Sequence, residues 1–374
     1  MELELADPQI DRYTVKNSQS DKTRYLVSVP FEAARQISSL PDAHRCSGLH
    51  GHSFLAGLRC ALPAGFASYP GGELEALQAQ WRADVAQLDY RLINDQIASP
   101  TDLNIARWLQ TQCRVTPAEQ IALQSTPQSG VEIDAGGGAV AWRRYAFQSA
   151  HQLPRVPAGH KCGNMHGHGF EAILHVQLAP HQTDAFDAYA TLDAAWEPLQ
   201  AVLDYACLND LPGLDNPTSE MMSSWIWNQL KAPLPWLTRV TVYETASCGA
   251  SFDGAHYSIW KDLTLDSAVR FKAAPLGTPR RQLHGHTYTL RLHLSAPLDQ
   301  VMGWTVDFGD VKELFNPLFK ALDHKPLYEI ADLADCDTAT IAHWILAKAR
   351  ANLPQVSGVD LYETGGCGVC VVRN

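Results

Sequence analysis

No apolar run in the sequence approaches the roughly 18 residues that a membrane-crossing helix needs, which excludes a membrane as an expected partner. The opening stretch, MELELADPQIDR, is acidic where a secretory leader would be basic and then apolar, so a cytoplasmic protein is expected. Basic residues are few: 29 Lys and Arg face 40 Asp and Glu, a net charge of -11. Nonspecific nucleic-acid binding rests on basic surface that neutralises phosphates, so nucleic acid is excluded as well. An anionic substrate would need local positive charge. A disulfide framework is also missing, because the nine cysteines are odd in number and scattered over a long chain, which reads as reduced thiols. Cys367 and Cys370 form a CxxC without a second cysteine pair at zinc-like spacing, and are expected to pack in a terminal strand.

What the 374 residues do contain is a repeat. At this length, with 46% hydrophobic residues, two or three domains are expected. His-Gly-His occurs at His50–His52, His166–His168 and His284–His286. Other markers keep the same register: Asp89, Asp204 and Asp323 after a leucine, and Gln124, Glu244 and Glu363 in LQST, YETA and YETG. Trp108, Trp225 and Trp344 recur on one helix, whose expected start is Ser99, Asn216 or Asp335 as N-cap, with Pro100 and Pro217 suiting the next position. The tryptophans are expected in the core. Each copy reads as a strand pair around His-Gly-His, two helices and a closing strand pair. The fold expected is α+β, with three tandem domains at 1–138, 139–255 and 256–374. Four strands and two helices leave one sheet face uncovered, so the copies should close into a shared barrel. The Gly-containing stretches PQSGVEIDAGGG and SCGASFDGAHYS are the expected joints.

Residues two apart in a strand share a face, so His166 and His168 present both imidazoles to one spot. His151, in the preceding strand, can come alongside as a third ligand. Three histidines with an open fourth position are the pattern of catalytic zinc, whereas structural zinc is usually closed by cysteine-rich sets. The plainer reading is a strand with two satisfied surface histidines, and the threefold recurrence weighs against it. The copies differ. Arg35 and Val269 stand where the middle copy has His151, and Arg280 stands where the others have Cys46 and Cys162. Arg35 is expected to replace a metal's charge in the first copy rather than bind beside one.

These residues resemble the 6-pyruvoyltetrahydropterin synthase and 6-carboxytetrahydropterin synthase family of tunnelling-fold enzymes. The resemblance covers all three copies and is strongest in AHQLPRVPAGHKCGNMHGHGF and LNDLPGLDNPTSEMMSSWIWNQL of the middle one; the third adds GWTVDF, LDH and YETGG. It implies zinc held by His151, His166 and His168, a catalytic cysteine at Cys162, and an Asp-His pair that only Asp323 and His324 match. One composite site between the second and third domains is therefore expected. Glu244 and Glu363 match the glutamate that grips the pterin ring, and which of them serves the site is left open. The first copy's Gln124 offers one acceptor where a carboxylate offers two.

The resemblance further implies a dihydroneopterin triphosphate substrate and an enzyme of pterin or deazaguanine-precursor (queuosine) synthesis. The 6-carboxytetrahydropterin product is favoured over the 6-pyruvoyl one. It implies stacked trimers, hence a homodimer of this chain as a pseudo-hexamer. The alternative class is a binding protein without turnover, which the losses at Arg35, Val269, Arg280 and Gln124 would suit. Plainer readings exist for Cys162, as a buried strand cysteine, and for Asp323-His324, as a solvated pair at a helix end. His44, His160 and His343 are left without a role.

Overall fold

In the computed structural model, which describes residues 21–115, 118–180, 182, 184–295 and 308–373, every His-Gly-His opens a strand paired antiparallel to the strand before it. In the first segment β1 (Asp21–Arg35) pairs with β2 (His50–Cys60), placing Arg35 opposite His50. There follow α1 (Glu73–Val85), the short β3 (Arg91–Leu92), α2 (Asp102–Gln112), β4 (Ala118–Thr126) and β5 (Ser129–Asp134). The second segment repeats this order as β6 (Ala139–His151), β7 (His166–Gln177), α3 (Phe186–Leu203), β8 (Ala206–Cys207), α4 (Ser219–Leu230), β9 (Leu237–Thr245) and β10 (Cys248–Phe252). His151 lies opposite His166. The third comprises β11 (Tyr257–Val269), β12 (His284–Leu294), α5 (Phe308–Leu322), β13 (Lys325–Pro326), α6 (Thr338–Asn352), β14 (Val356–Thr364) and β15 (Cys367–Arg373), with Val269 opposite His284.

Twelve strands close on themselves. The ring runs β1-β2-β4-β5-β6-β7-β9-β10-β11-β12-β14-β15 and returns to β1, antiparallel at every step. The three short strands lie outside it, each parallel to the end of a long strand: β3 on β1, β8 on β6 and β13 on β11. Closure leaves the barrel without an open edge. The helices pack on its outer wall. Alternation therefore runs opposite to a lipid-facing barrel. Val240 and Val242 of β9 are buried in the core beneath α4, while Arg239, Thr241 and Tyr243 between and beside them line the lumen.

Three sequence expectations need correction. In the strand register Ser125, not Gln124, stands at the place of Glu244 and Glu363, while Gln124 stands at that of Tyr243 and Tyr362. The stretches read as joints contain β5 and β10, which are barrel strands. Their glycines made them look like linkers, yet Gly130 and Gly249 sit where the indole of Trp142 or Trp260 on the next strand lies across them. An added Cβ would meet those rings at 2.6 Å and 2.8 Å. The second helix of each segment also starts two residues later than expected. Thr101, Thr218 and Asp337 are the N-caps, accepting from the amides of Asn104, Met221 and Thr340. Asn216 and Asp335 instead accept from backbone amides of the loop after the first strand. Trp344 is buried, while Trp108 and Trp225 are only partly so. The opening MELELADPQIDR and the GWTVD of GWTVDF fall outside the described residues. Among those described, no helix is long and apolar enough to cross a membrane.

Candidate metal centre

At one rim of the barrel the ends of β6, β7 and β9 bring His151, His166, His168 and Glu244 together, with ligand atoms all within 4.8 Å of one another. The ring centroids of the three histidines are 4.5 to 5.2 Å apart. Backbone carbonyls set their orientation: His151 Nδ1 lies 3.0 Å from the Pro217 oxygen, and His166 Nδ1 lies 2.8 Å from that of Asn164. A carbonyl can only accept, so Nδ1 carries the proton and Nε2 offers its lone pair. His151 Nε2 and His168 Nε2 are buried and have no hydrogen-bond partner. Two buried, unsatisfied ring nitrogens aimed at one spot are costly without a ligand. Carbonyl-oriented imidazoles are also the usual second layer of a metal site. The residues fit a metal ion.

Burial lowers the His151 pKa, partly offset by Glu244, so this imidazole stays neutral and ready to donate. Burial alone would raise the Glu244 pKa; His168, His151 and the Ser219 hydroxyl hold it below the usual carboxylate value. Glu244 Oε1 is 3.4 Å from His168 Nε2, too long for a good hydrogen bond, and Oε2 accepts from Ser219 Oγ at 3.1 Å. Glu244, expected from the sequence to grip the ring, has its carboxylate beside the three histidines.

Cys162 stands outside this group of four. It is carried on the turn Lys161–Gly163, whose amide at Cys162 donates to His160 Nδ1 at 3.2 Å and whose carbonyl at Cys162 accepts from Leu153 N at 2.8 Å. His44 makes the same bond to the Cys46 amide in the first segment. This gives the two unassigned histidines a task, holding the cysteine turn. His343, the third, is 2.8 Å from Thr23 Oγ1.

The other two segments use the equivalent positions differently. Arg35, almost wholly buried, donates to Asp102 Oδ1 at 2.6 Å and to the Pro100 carbonyl at 3.1 Å, and lies 3.1 Å from His52 Nε2. Asp102 Oδ2 accepts from Ser125 and from Tyr189 of α3, so the pair ties the first segment to the second. Burial and the Arg35 charge push the His52 pKa down to about 4. A guanidinium stands at the register position that His151 has in the second segment. In the third segment Arg280, at the position of Cys162, is paired with Glu363, which also accepts from the Thr338 hydroxyl. Of the two candidate ring-gripping glutamates, Glu363 already has a cation.

Asp323 and His324 form the turn just before β13. Asp323 Oδ1 accepts from the Asp266 amide at 2.9 Å, and Oδ2 is 3.0 Å from His324 Nδ1. That bond and the carboxylate's charge raise the His324 pKa, while the backbone bond lowers that of Asp323. Asp89 and Asp204 hold the amides of Glu32 and Gln148 in the same way. Tyr90, Tyr205 and His324 share a left-handed backbone, φ 52°, 55° and 53°. The turn is thus common to all three segments and the imidazole is particular to one. His324 is exposed, in a crevice of about 570 Å³ with His284 and His286. β13 borders the edge of β11 that β12 leaves free, the edge whose other end pairs with β10 of the second segment.

The profile of the family described as 6-pyruvoyl tetrahydropterin synthase matches the chain twice, over residues 141–255 and 258–374. A 6-carboxy-5,6,7,8-tetrahydropterin synthase of Synechocystis sp. is 33% identical over 120 residues, 30% of this chain and 92% of that protein. A dihydroneopterin monophosphate aldolase of Pyrococcus furiosus is 33% identical over 123 residues, 32% of this chain and 90% of its own length. Among solved structures, the 6-pyruvoyl tetrahydropterin synthase of Caenorhabditis elegans aligns over 31% of this chain and 94% of its own, at 16% identity and a TM-score of 0.29.

Proposed function

Because the chain belongs to the 6-pyruvoyl tetrahydropterin synthase family, we propose that it is a zinc-dependent lyase of the 6-carboxytetrahydropterin synthase type, acting on 7,8-dihydroneopterin triphosphate. The observation that carries this is the convergence of His151, His166 and His168, with two buried Nε2 atoms unsatisfied. Three neutral imidazoles would hold zinc, which when bound supplies a Lewis acid that stabilises the negative charge developing as a neighbouring C–H proton leaves.

The chain's own groups do the rest. Glu244 accepts two parallel hydrogen bonds from the pterin's amide and amino groups and fixes the ring; this reading is favoured over Glu363, which Arg280 already holds. Cys162 takes the side-chain proton as thiolate. His324, oriented by Asp323 so that Nε2 faces outward, moves a proton on the other side of the substrate. The placement of β13 on the β11 edge toward the second segment supports one composite site between second and third domains. The domains themselves are assigned to 1–138, 139–255 and 256–374. The pterin ligand is the small-molecule partner, and the assembly is a homodimer of two stacked barrels. Leu49, Met165 and Leu283, each just before a His-Gly-His and 52 to 67% exposed, support such stacking by giving the rim three apolar contacts.

Mass spectrometry of the products from zinc-loaded protein and dihydroneopterin triphosphate tests this, with Cys162→Ala as control. A 6-carboxytetrahydropterin made by the wild type and not by the variant is expected. A 6-pyruvoyl product would change the branch. Zinc at one per chain with no product at all would overturn the enzyme in favour of a binding protein. A monomer in light scattering would refute the dimer.

A further inference from the structure

The barrel lumen holds a cavity of about 490 Å³, away from the rim cluster, whose walls include Arg144, Arg239 and Arg291, with Trp142, His175 and Trp260. Trp142, His175 and Arg239 lie side by side across β6, β7 and β9, so their side chains share one face. The three cations are not equally balanced. Arg144 is paired with Glu171 at 2.9 Å, and Arg291 donates twice to Asp262 at 2.7 and 2.8 Å. Among the described residues Arg239 is bonded only to the ring of His175, its Nη2 lying 3.1 Å from Nδ1 and 3.4 Å from Nε2. Among the described residues no carboxylate pairs with it. His175 is buried, and its burial and the Arg239 charge keep its pKa well below the ordinary value, so it accepts as a neutral ring and supplies no charge.

Two further donors on the same wall, Arg144 Nε and Trp260 Nε1, are buried without an acceptor. A partly enclosed guanidinium without a counter-charge, beside unsatisfied N–H groups, calls for a ligand that brings negative charge and several acceptors. We propose that the lumen beside the second and third segments is an oxyanion-binding site centred on Arg239, taking a phosphate- or carboxylate-bearing small molecule. Arg239 receives the anion through its planar fork, and the indoles of Trp142 and Trp260 wall it in. The equivalents of Arg239 in the barrel are Gln120 and Gly358, so the site occurs once per chain.

The test is calorimetric titration of the metal-stripped full chain carrying His166→Ala and His168→Ala, which removes the rim cluster as a competing site. Pyrophosphate and malonate serve as separate probes, distinguishing phosphate from carboxylate ligands. Saturable binding of one of them, weakened at least tenfold by Arg239→Gln, is expected. Absence of binding to the parent, or equal affinity in Arg239→Gln, would overturn the proposal. Should Arg239→Gln lose its circular dichroism signature, Arg239→Lys keeps a cation without the fork. Weakening of several-fold in that variant supports the site, and unchanged affinity refutes the role given to the guanidinium.

Discussion

Arg35 and Asp102 form a buried ion pair, 2.6 Å from Nη1 to Oδ1, at the place where the second segment gathers its cluster of three histidines and Glu244. There a guanidinium is held against the His-Gly-His strand, 3.1 Å from His52 Nε2. Since both partners are buried, removing one leaves an uncompensated charge. Arg35→Ala is expected to cost about 3–5 kcal/mol, read as a shift in the denaturant midpoint.

The same pair predicts a pH dependence. Burial would raise the Asp102 pKa, but Arg35, Ser125 and Tyr189 hold it below the ordinary value. A depressed carboxyl contributes stability that is present above its unfolded pKa of about 4 and lost as pH falls through the lower folded value. Wild-type stability should therefore fall below about pH 4, and the double variant Arg35→Met with Asp102→Leu should lose less over that range in parallel urea titrations.

The ligand count should be transferable. Asp102 corresponds to Ser219, each following the helix N-cap, and Arg35 corresponds to His151. Combining Arg35→His with Asp102→Ser gives the first segment three histidines, and zinc measured by plasma mass spectrometry should rise from one per chain to two. One per chain in a folded variant would mean that Glu244, absent from the first segment, is needed for binding.

His324 occupies a turn that its counterparts Tyr90 and Tyr205 occupy with the same backbone. His324→Tyr should leave the melting temperature within about 2 °C while turnover falls by about 10²–10⁴. Asp323→Asn removes the charge that raises the His324 pKa. The imidazole, followed by NMR titration, should move down toward its ordinary value.

The two glutamates should separate by their partners. Glu244→Gln is expected to lower kcat/KM by roughly 10–100-fold, the worth of hydrogen bonds to a charged group, with zinc still bound. Glu363→Gln leaves Arg280 without its carboxylate, so it should lower stability and spare turnover. Steady-state kinetics beside thermal melts distinguish the cases.

Much of this was legible because strand periodicity is rigid. His-Gly-His fixes two imidazoles on one face, and the recurring distance back to Arg35, His151 and Val269 fixes the register that the strands then show. Asp102 was not legible as the partner of Arg35, since the two meet only when α2, packed on β4 and β5, brings its first residue to the end of β1, and Tyr189 joins them from another segment. β5 and β10 were misread because glycine marks both a linker and a strand over which an indole must lie. The helix caps were missed by two residues because proline is favoured at the start of a helix, and here it precedes the cap.

The pairing of Asp21 with Arg373 gives the barrel a clasp. As the polypeptide leaves the ribosome, each later strand finds its ring neighbour soon after it appears, whereas one border of β1 waits for β15. Until then the nascent ring is an unfinished sheet with an adhesive flank, open to a wrong strand of another molecule. The final step is a contact between the most distant parts of the described chain, which makes it slow. A barrel closed within one chain thus carries a need to guard β1 until β15 arrives.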